Sequence, residues 1–269
     1  MQESRQNRPR GYVLRDPRLR GEDDGGGDGL GVLATLHVPL YTSTMHFHII
    51  TIFPNMFQSY LSDSIMKRAQ ESGAITFSFY DPRAFTTDKH RKVDDSPYGG
   101  GPGMVMTAQP ILDVWESIVH TSFLDKAKEL VHLKEKKIFK TILLSPGGEK
   151  FTTDYAKAAV GEYTDIIFIC GRYEGIDSRV VAITGAELVS IGDYVLTGGE
   201  LAAMVMCDSI ARQVDGVLGN TESLEEERIS SHEMYTRPDV LEWKGKKYPV
   251  PEVLLSGDHK KIDAWREGR

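Results

Sequence analysis

Three glycine clusters are the most chemically suggestive features of the chain: Ser145-Pro146-Gly147-Gly148, Cys170-Gly171-Arg172-Tyr173-Glu174-Gly175, and Ile191-Gly192-Asp193-Tyr194-Val195-Leu196-Thr197-Gly198-Gly199-Glu200. Each follows a short apolar run that reads as a strand. Glycine lets a backbone approach a ligand closely or take up positive φ, and in an open parallel sheet the ligand crevice lies beyond the carboxyl ends of the strands. Any one cluster alone reads as a tight strand-to-helix turn; three at one edge predict a single binding site. The densest basic run, Lys89-His90-Arg91-Lys92 with Arg83, suits phosphate contacts, the plainer alternative being a solvated loop. Gly147-Gly148-Glu149-Lys150-Phe151 lacks the GxxxxGK[ST] spacing of a P-loop. Pro102 interrupts any GxGxxG reading of Gly99-Gly100-Gly101-Pro102-Gly103, which follows a polar loop and not a strand. The histidines are scattered without metal-ligand spacing relative to the two cysteines, so no structural zinc site is expected and no metal ligand is assigned.

The elements that must position these residues follow from periodicity. Met45 to Phe53 is a β-rich run stopped by Pro54, and Ile75 to Tyr80 alternates like a half-buried strand. Between them Met56, Tyr60, Leu61, Ser64, Ile65 and Arg68 follow helical spacing. A loop rich in Asp, Gly and Pro runs from Asp81 to Gly103, and Ile111, Val114, Trp115, Ile118 and Val119 form the stripe of a helix packed on one face. Phe139 to Leu144 and Asp165 to Cys170 are nearly continuous apolar runs, as in parallel strands buried on both faces, with a helical stretch near Tyr155 to Val160 between them. Ala186 to Ile191 reads as a further strand and Leu201 to Val214 as a helix. The alternation predicts an α/β domain with a parallel sheet.

Length and charge set the frame. The 269 residues carry 32 Lys+Arg against 39 Asp+Glu, a net charge of -7. Coating nucleic acid by charge alone needs a broadly basic surface and is excluded; a local basic groove is not. Residues 1–44 hold six arginines balanced by six acids and a Gly/Asp run, too little apolar area to offset the entropy of ordering. Disorder is expected there, with Met45 the natural start of the domain and residues 1–44 arising from an upstream start choice. Two cysteines in apolar stretches make no disulfide framework, and no apolar run approaches the ~20 residues of a membrane span. A soluble protein of a reducing, cytoplasmic compartment is expected.

Seven segments, taken in order, carry a family likeness. They are Ile52-Phe53-Pro54-Asn55-Met56-Phe57, Asp81-Pro82-Arg83, the loop from His90 to Met104, Cys170 to Asp177, Ile191 to Leu196, Gly216-Val217-Leu218-Gly219 and Tyr235-Thr236-Arg237-Pro238. They resemble the TrmD family, the bacterial tRNA (guanine-N1)-methyltransferases acting at position 37 beside the anticodon. The likeness runs from Met45 to about Arg266, and the loop from His90 to Met104 matches this branch over other SPOUT enzymes with a different RNA target.

The resemblance implies a SPOUT-class α/β domain over 45–219, with a deep trefoil knot that binds S-adenosylmethionine. It also implies an acidic linker over 220–234, a shortened, helical C-terminal tRNA-binding segment over 235–269, a homodimer with shared active sites, tRNA as partner, and Mg2+ as a further requirement. Donor-binding positions by this likeness are Leu144, Ser145, Pro146, Gly171, Tyr173, Glu174, Ile191, Gly192, Asp193, Tyr194, Val195, Leu196, Gly198 and Gly199. The catalytic carboxylate, counted eight residues from Gly219, is Glu227; Arg212 supports it, and Asp94 reaches the site from the partner subunit. The family residue at the first of these is usually Asp, and Glu225-Glu226-Glu227 leaves Glu226 as an alternative base. Without the likeness this run reads as a solvated acidic linker. Lys244, Lys246, Lys247, Lys260, Lys261 and Arg266 offer a second tRNA contact. A competing reading is a weakened RNA-binding protein that holds the donor without efficient turnover.

Overall fold

The computed structural model describes residues 44–120, 137–218 and 233–267. The chain divides between Val217 and Leu218 into two units. In the first, strands β1 (Met45–Ile50), β2 (Ile75–Tyr80), β5 (Phe139–Lys150), β6 (Asp165–Ile169) and β7 (Glu187–Ser190) form one sheet in the order β2-β1-β6-β5-β7. Every pairing in it is parallel, as the alternation of apolar runs with helical stretches predicts. A short antiparallel pair, β3 (Asp94–Asp95) with β4 (Val105–Met106), closes the glycine-rich loop.

Both faces of the sheet are covered, which is why β6 is buried at all five positions. Phe47, Ile49, Ile142, Ile166 and Phe168 point to one face, against α1 (Gln58–Leu61), α2 (Ser64–Glu71), α4 (Thr153–Glu162) and α6 (Glu200–Ala211). Ile50, Leu143, Ile167 and Ile169 point to the other, against α3 (Ala108–Val119) and α5 (Arg179–Thr184). Alternating side chains on a strand face opposite ways, so two apolar sets on one strand need two layers of helix. On α3 the expected stripe holds: Ile111, Val114 and Ile118 are buried, and Trp115 Nε1 donates to Thr141 Oγ1 at 3.0 Å.

The segment after Pro54 departs from the expected single helix. It breaks into a 3-10 turn (Pro54–Phe57), α1 and α2. Asp63 is extended there, and its carboxylate accepts from the Ser64 amide at 2.6 Å, capping α2. The break also shifts the apolar face, burying Phe57, Leu61, Met66 and Ala69 and leaving Met56, Tyr60 and Ile65 exposed.

The second unit pairs β8 (Val240–Trp243) with β9 (Lys246–Pro249) in an antiparallel hairpin, followed by α7 (Glu252–Leu255) and α8 (His259–Arg266). It is therefore part hairpin and part helix, where the family likeness implied a helical segment. Tyr235 and Trp265 pack with ring centroids 6.2 Å apart. Lys244, Lys246, Lys247, Lys260, Lys261 and Arg266 are all exposed.

Candidate active site

The three glycine clusters meet. Their residues line a cavity of about 500 Å³ beyond the carboxyl ends of β5, β6 and β7, within the roughly 300–1,000 Å³ of small-molecule sites. β5 is paired with β7 up to Leu144, loses register, and pairs again at Glu149, so Ser145 to Gly148 bulge out, with Ser145 and Pro146 lining one wall. A Cβ on Gly148 would fall on the backbone of Leu188, a contact only glycine permits. The second wall is the loop after β6, where Tyr173 holds φ +59. That is a strained conformation for an aromatic residue, of the kind that collects at binding sites. The third is Ile191 to Gly199.

A buried ionic network fastens these walls together. Glu200, at the head of α6, is wholly buried, and its Oε1 accepts from Thr51 Oγ1 at 2.8 Å. Its Oε2 lies 2.9 Å from Nε of Arg172, an ion pair by distance but not an aligned hydrogen bond. Arg172 also donates from Nη1 to the Thr197 carbonyl at 3.2 Å and lies 4.6 Å over the Phe53 ring. One guanidinium thus touches the segment after β1, the third loop and α6. Alongside, the Gly199 amide donates to the Gly171 carbonyl at 3.0 Å.

The glycine-rich loop docks on the second wall. Met106 N–H donates to the Gly175 carbonyl and Glu174 N–H to the Met104 carbonyl, each at 2.9 Å, and Asp177 N–H donates to the Met106 carbonyl at 3.0 Å. Asp94 sits opposite Met106 on the β3–β4 pair, so the docking fixes its place relative to the cavity.

The family described as tRNA (Guanine-1)-methyltransferase TrmD matches residues 45–269. The chain belongs to the TrmD family. The tRNA (guanine-N(1)-)-methyltransferase of Clostridioides difficile is 48% identical over 226 residues, 82% of this chain and 90% of the relative. That of Carboxydothermus hydrogenoformans is 48% identical over 228 residues, covering 83% and 81%. That of Pseudoalteromonas atlantica is 44% identical over 225 residues, covering 82% and 78%.

Of the donor-binding positions taken from the TrmD likeness, Leu144, Ser145, Pro146, Gly171, Tyr173, Glu174, Ile191, Gly192, Tyr194, Val195, Leu196, Gly198 and Gly199 all line the cavity. Asp193 does not; it is exposed and pairs with Lys150 at 2.6 Å. Arg212 is the half-buried C-cap of α6. Asp94 is half-buried and outside the lining. Glu227 and Glu226 lie outside the described residues.

The basic patch is smaller than its sequence suggests. Lys89, His90, Arg91 and Lys92 are exposed on a turn held by Asp88, whose Oδ1 accepts from the His90 and Lys92 amides at 2.8 and 3.1 Å. Those amide contacts hold the Asp88 carboxyl below its ordinary range. Arg83 is occupied elsewhere: Nε and Nη2 face the Asp81 carboxylate, and Nη2 donates to the Ile52 carbonyl at 2.6 Å. It braces the segment after β1, with 42% of its side chain still exposed.

Sequence reasoning missed Thr51 and Glu200 and left Arg172 without a role. The available signal was an acid at the head of the apolar α6 and an arginine three residues after the apolar β6, two charges whose burial demands a partner.

Proposed function

We infer that this chain transfers a methyl group from S-adenosylmethionine to N1 of guanosine 37 in tRNA. The observation that carries this is the convergence of the three glycine clusters on one cavity in a chain of the TrmD family. The cavity fits the donor in kind: an apolar floor of Leu144, Val189 and Ala202, and loops whose backbone amides and carbonyls can read an adenine and a ribose. When bound, the donor supplies an electrophilic sulfonium methyl.

The chain's own residues must remove the N1 proton and stabilise the charge that develops on O6. We assign the first task to Glu227, because a positioned base contributes typically ~10²- to 10⁴-fold. Arg212 supplies the cation toward O6, and Asp94 completes the site from a partner subunit. The apolar side chains exposed beside the cavity and along α6, Val195, Leu196, Leu201 and Val205, support a homodimer in which such sharing is feasible. The return of the chain from the edge strand β7 to the end of β6, where Gly199 meets Cys170 and Gly171, is consistent with a trefoil knot. The turn from Lys89 to Lys92 and the lysines of the second unit would grip the tRNA backbone. Mg2+ favours oxygen ligands, and among the described residues no group of three such side chains gathers at the cavity, so no step is assigned to it. No helix among the described residues is long and apolar enough to cross a membrane; a tRNA substrate and two free cysteines suit the cytoplasm.

The test is methyl transfer from labelled S-adenosylmethionine to tRNA transcripts carrying guanosine or adenosine at position 37. Transfer to the first alone is expected. Tight donor binding without transfer would replace this reading with that of a weakened RNA-binding protein.

A further inference from the structure

The opposite edge of the sheet, at the amino ends of its strands, carries a second polar constellation. His46 and His48 are two apart on β1 and so share a face, and the register sets His46 beside Asp165 at the start of β6. His48 Nε2 lies 2.9 Å from Asp165 Oδ1, and His46 Nδ1 lies 3.7 Å from the same oxygen. The other ring nitrogens are both occupied by hydroxyls of β2: His46 Nε2 by Ser78 Oγ at 2.9 Å and His48 Nδ1 by Tyr80 OH at 3.1 Å. Among the described residues this is the one group of three such side chains whose donor atoms all fall within 4.8 Å of one another.

We propose that His46 Nδ1, His48 Nε2 and Asp165 Oδ1 form a binding site for a zinc-like transition metal ion. Two imidazoles and a carboxylate are a zinc donor set, and a ligating histidine normally has its outer nitrogen held by a hydrogen-bond partner, as both do here. The geometry is near what coordination needs. Tetrahedral bonds of ~2.0–2.1 Å put ligand atoms roughly 3.3 Å apart, between the 2.9 and 3.7 Å observed; the two imidazoles are stacked, with centroids 3.9 Å apart and planes 29° from parallel, so the partly exposed His46 ring must turn to aim Nδ1 at the ion. Asp165 and His48 are buried and fixed, while His46 is about a quarter exposed and opens the site to water as a fourth ligand. The site also contains its own competitor. Lys137 Nζ lies 3.1 Å from Asp165 Oδ1 and is 29% exposed, so an arriving dication displaces an ammonium that can swing into solvent. The ion would clamp β1 to β6, joining residues 117 apart in sequence, at the edge remote from the cavity, and its effect falls on stability and not on methyl transfer.

The test is titration of chelator-treated full-length protein with Zn2+ by calorimetry, and with Co2+ by its visible absorption. One saturable equivalent per chain is expected, with a raised melting temperature and the absorption of four-coordinate Co2+. His46→Ala, at the exposed ligand, should remove that equivalent while the circular dichroism stays native. Lys137→Met should tighten zinc binding by about tenfold, the worth of one competing charge. Absence of a saturable equivalent, its survival in His46→Ala, or unchanged affinity in Lys137→Met would each overturn the proposal.

Discussion

Arg172 and Glu200 form an ion pair at the seam of the cavity, with 15% of the arginine side chain and none of the glutamate side chain exposed. Removing one member of such a pair strands the other in a medium of low polarity, at a cost of about 3–5 kcal/mol, whereas removing both can be nearly neutral. Glu200→Gln keeps the shape and the Thr51 contact, yet leaves Arg172 without its counter-charge. We expect Glu200→Gln and Arg172→Met each to lose about 3 kcal/mol in urea unfolding, and the double variant to lose less than their sum. Additive losses would show that the two side chains do not act as a pair.

Gly199 tests the closeness of the walls. A methyl group there would stand 2.8 Å from the Cys170 Cα, a backbone atom that cannot swing aside. Gly199→Ala must push α6 and the third loop away from the end of β6, at a cost of about 1–3 kcal/mol as for other overpacked sites. Weakened S-adenosylmethionine binding by calorimetry is the expected consequence. Gly161→Ala, where a Cβ meets nothing within 4 Å, should bind the donor like the parent.

These two sites mark how far the sequence could be read. The parallel strands were legible because most are contiguous apolar runs and β2 alternates, and the meeting of Pro146, Gly171 and Gly199 at one cavity followed from their positions after such strands. The Thr51–Glu200 contact spans 149 residues and leaves no local period. The same holds for His46, His48 and Asp165, since the histidine spacing is local while the third donor lies on another strand. The helical stripe after Pro54 was misread for a different reason: one capping aspartate, Asp63, resets the helix phase and moves Ile65 out and Met66 in. The tie of Arg83 to Asp81 was hidden as well, because charge counting does not show which cations are already paired.

Both cysteines should be chemically silent in the folded protein. Burial pushes the Cys170 and Cys207 thiols well above their ordinary range, with nearby carboxylates adding to the effect. A raised pKa leaves the unreactive protonated thiol at neutral pH, and neither sulfur is open to solvent. Iodoacetamide at pH 7.5 should leave the native protein unlabelled and add two groups in denaturant. Labelling of the native chain would mean that the core around β6 and α6 opens readily.

The exposed turn and Arg83 should separate in their response to salt. Lys89→Ala and Lys92→Ala remove exposed cations, so each should weaken tRNA binding and lower the log–log salt slope by about 1 for each phosphate no longer neutralised. Arg83→Ala breaks the brace between Asp81 and Ile52 instead. It should reduce stability and leave the salt slope near that of the parent. A reduced slope in Arg83→Ala would show that the guanidinium leaves Asp81 to meet the nucleic acid.

The assignment of the base to Glu227 is open to a direct kinetic test. Glutamine keeps the size and one acceptor oxygen of the side chain but cannot take up the N1 proton, so Glu227→Gln should lower kcat by ~10²-fold or more. Donor affinity should stay within about twofold, because an interaction used only in the transition state leaves ground-state binding alone. Glu226→Gln provides the register control and should turn over like the parent. If the two variants exchange behaviour, the base is Glu226. If both remain fully active, the acidic run is a solvated linker and the proton leaves by another route.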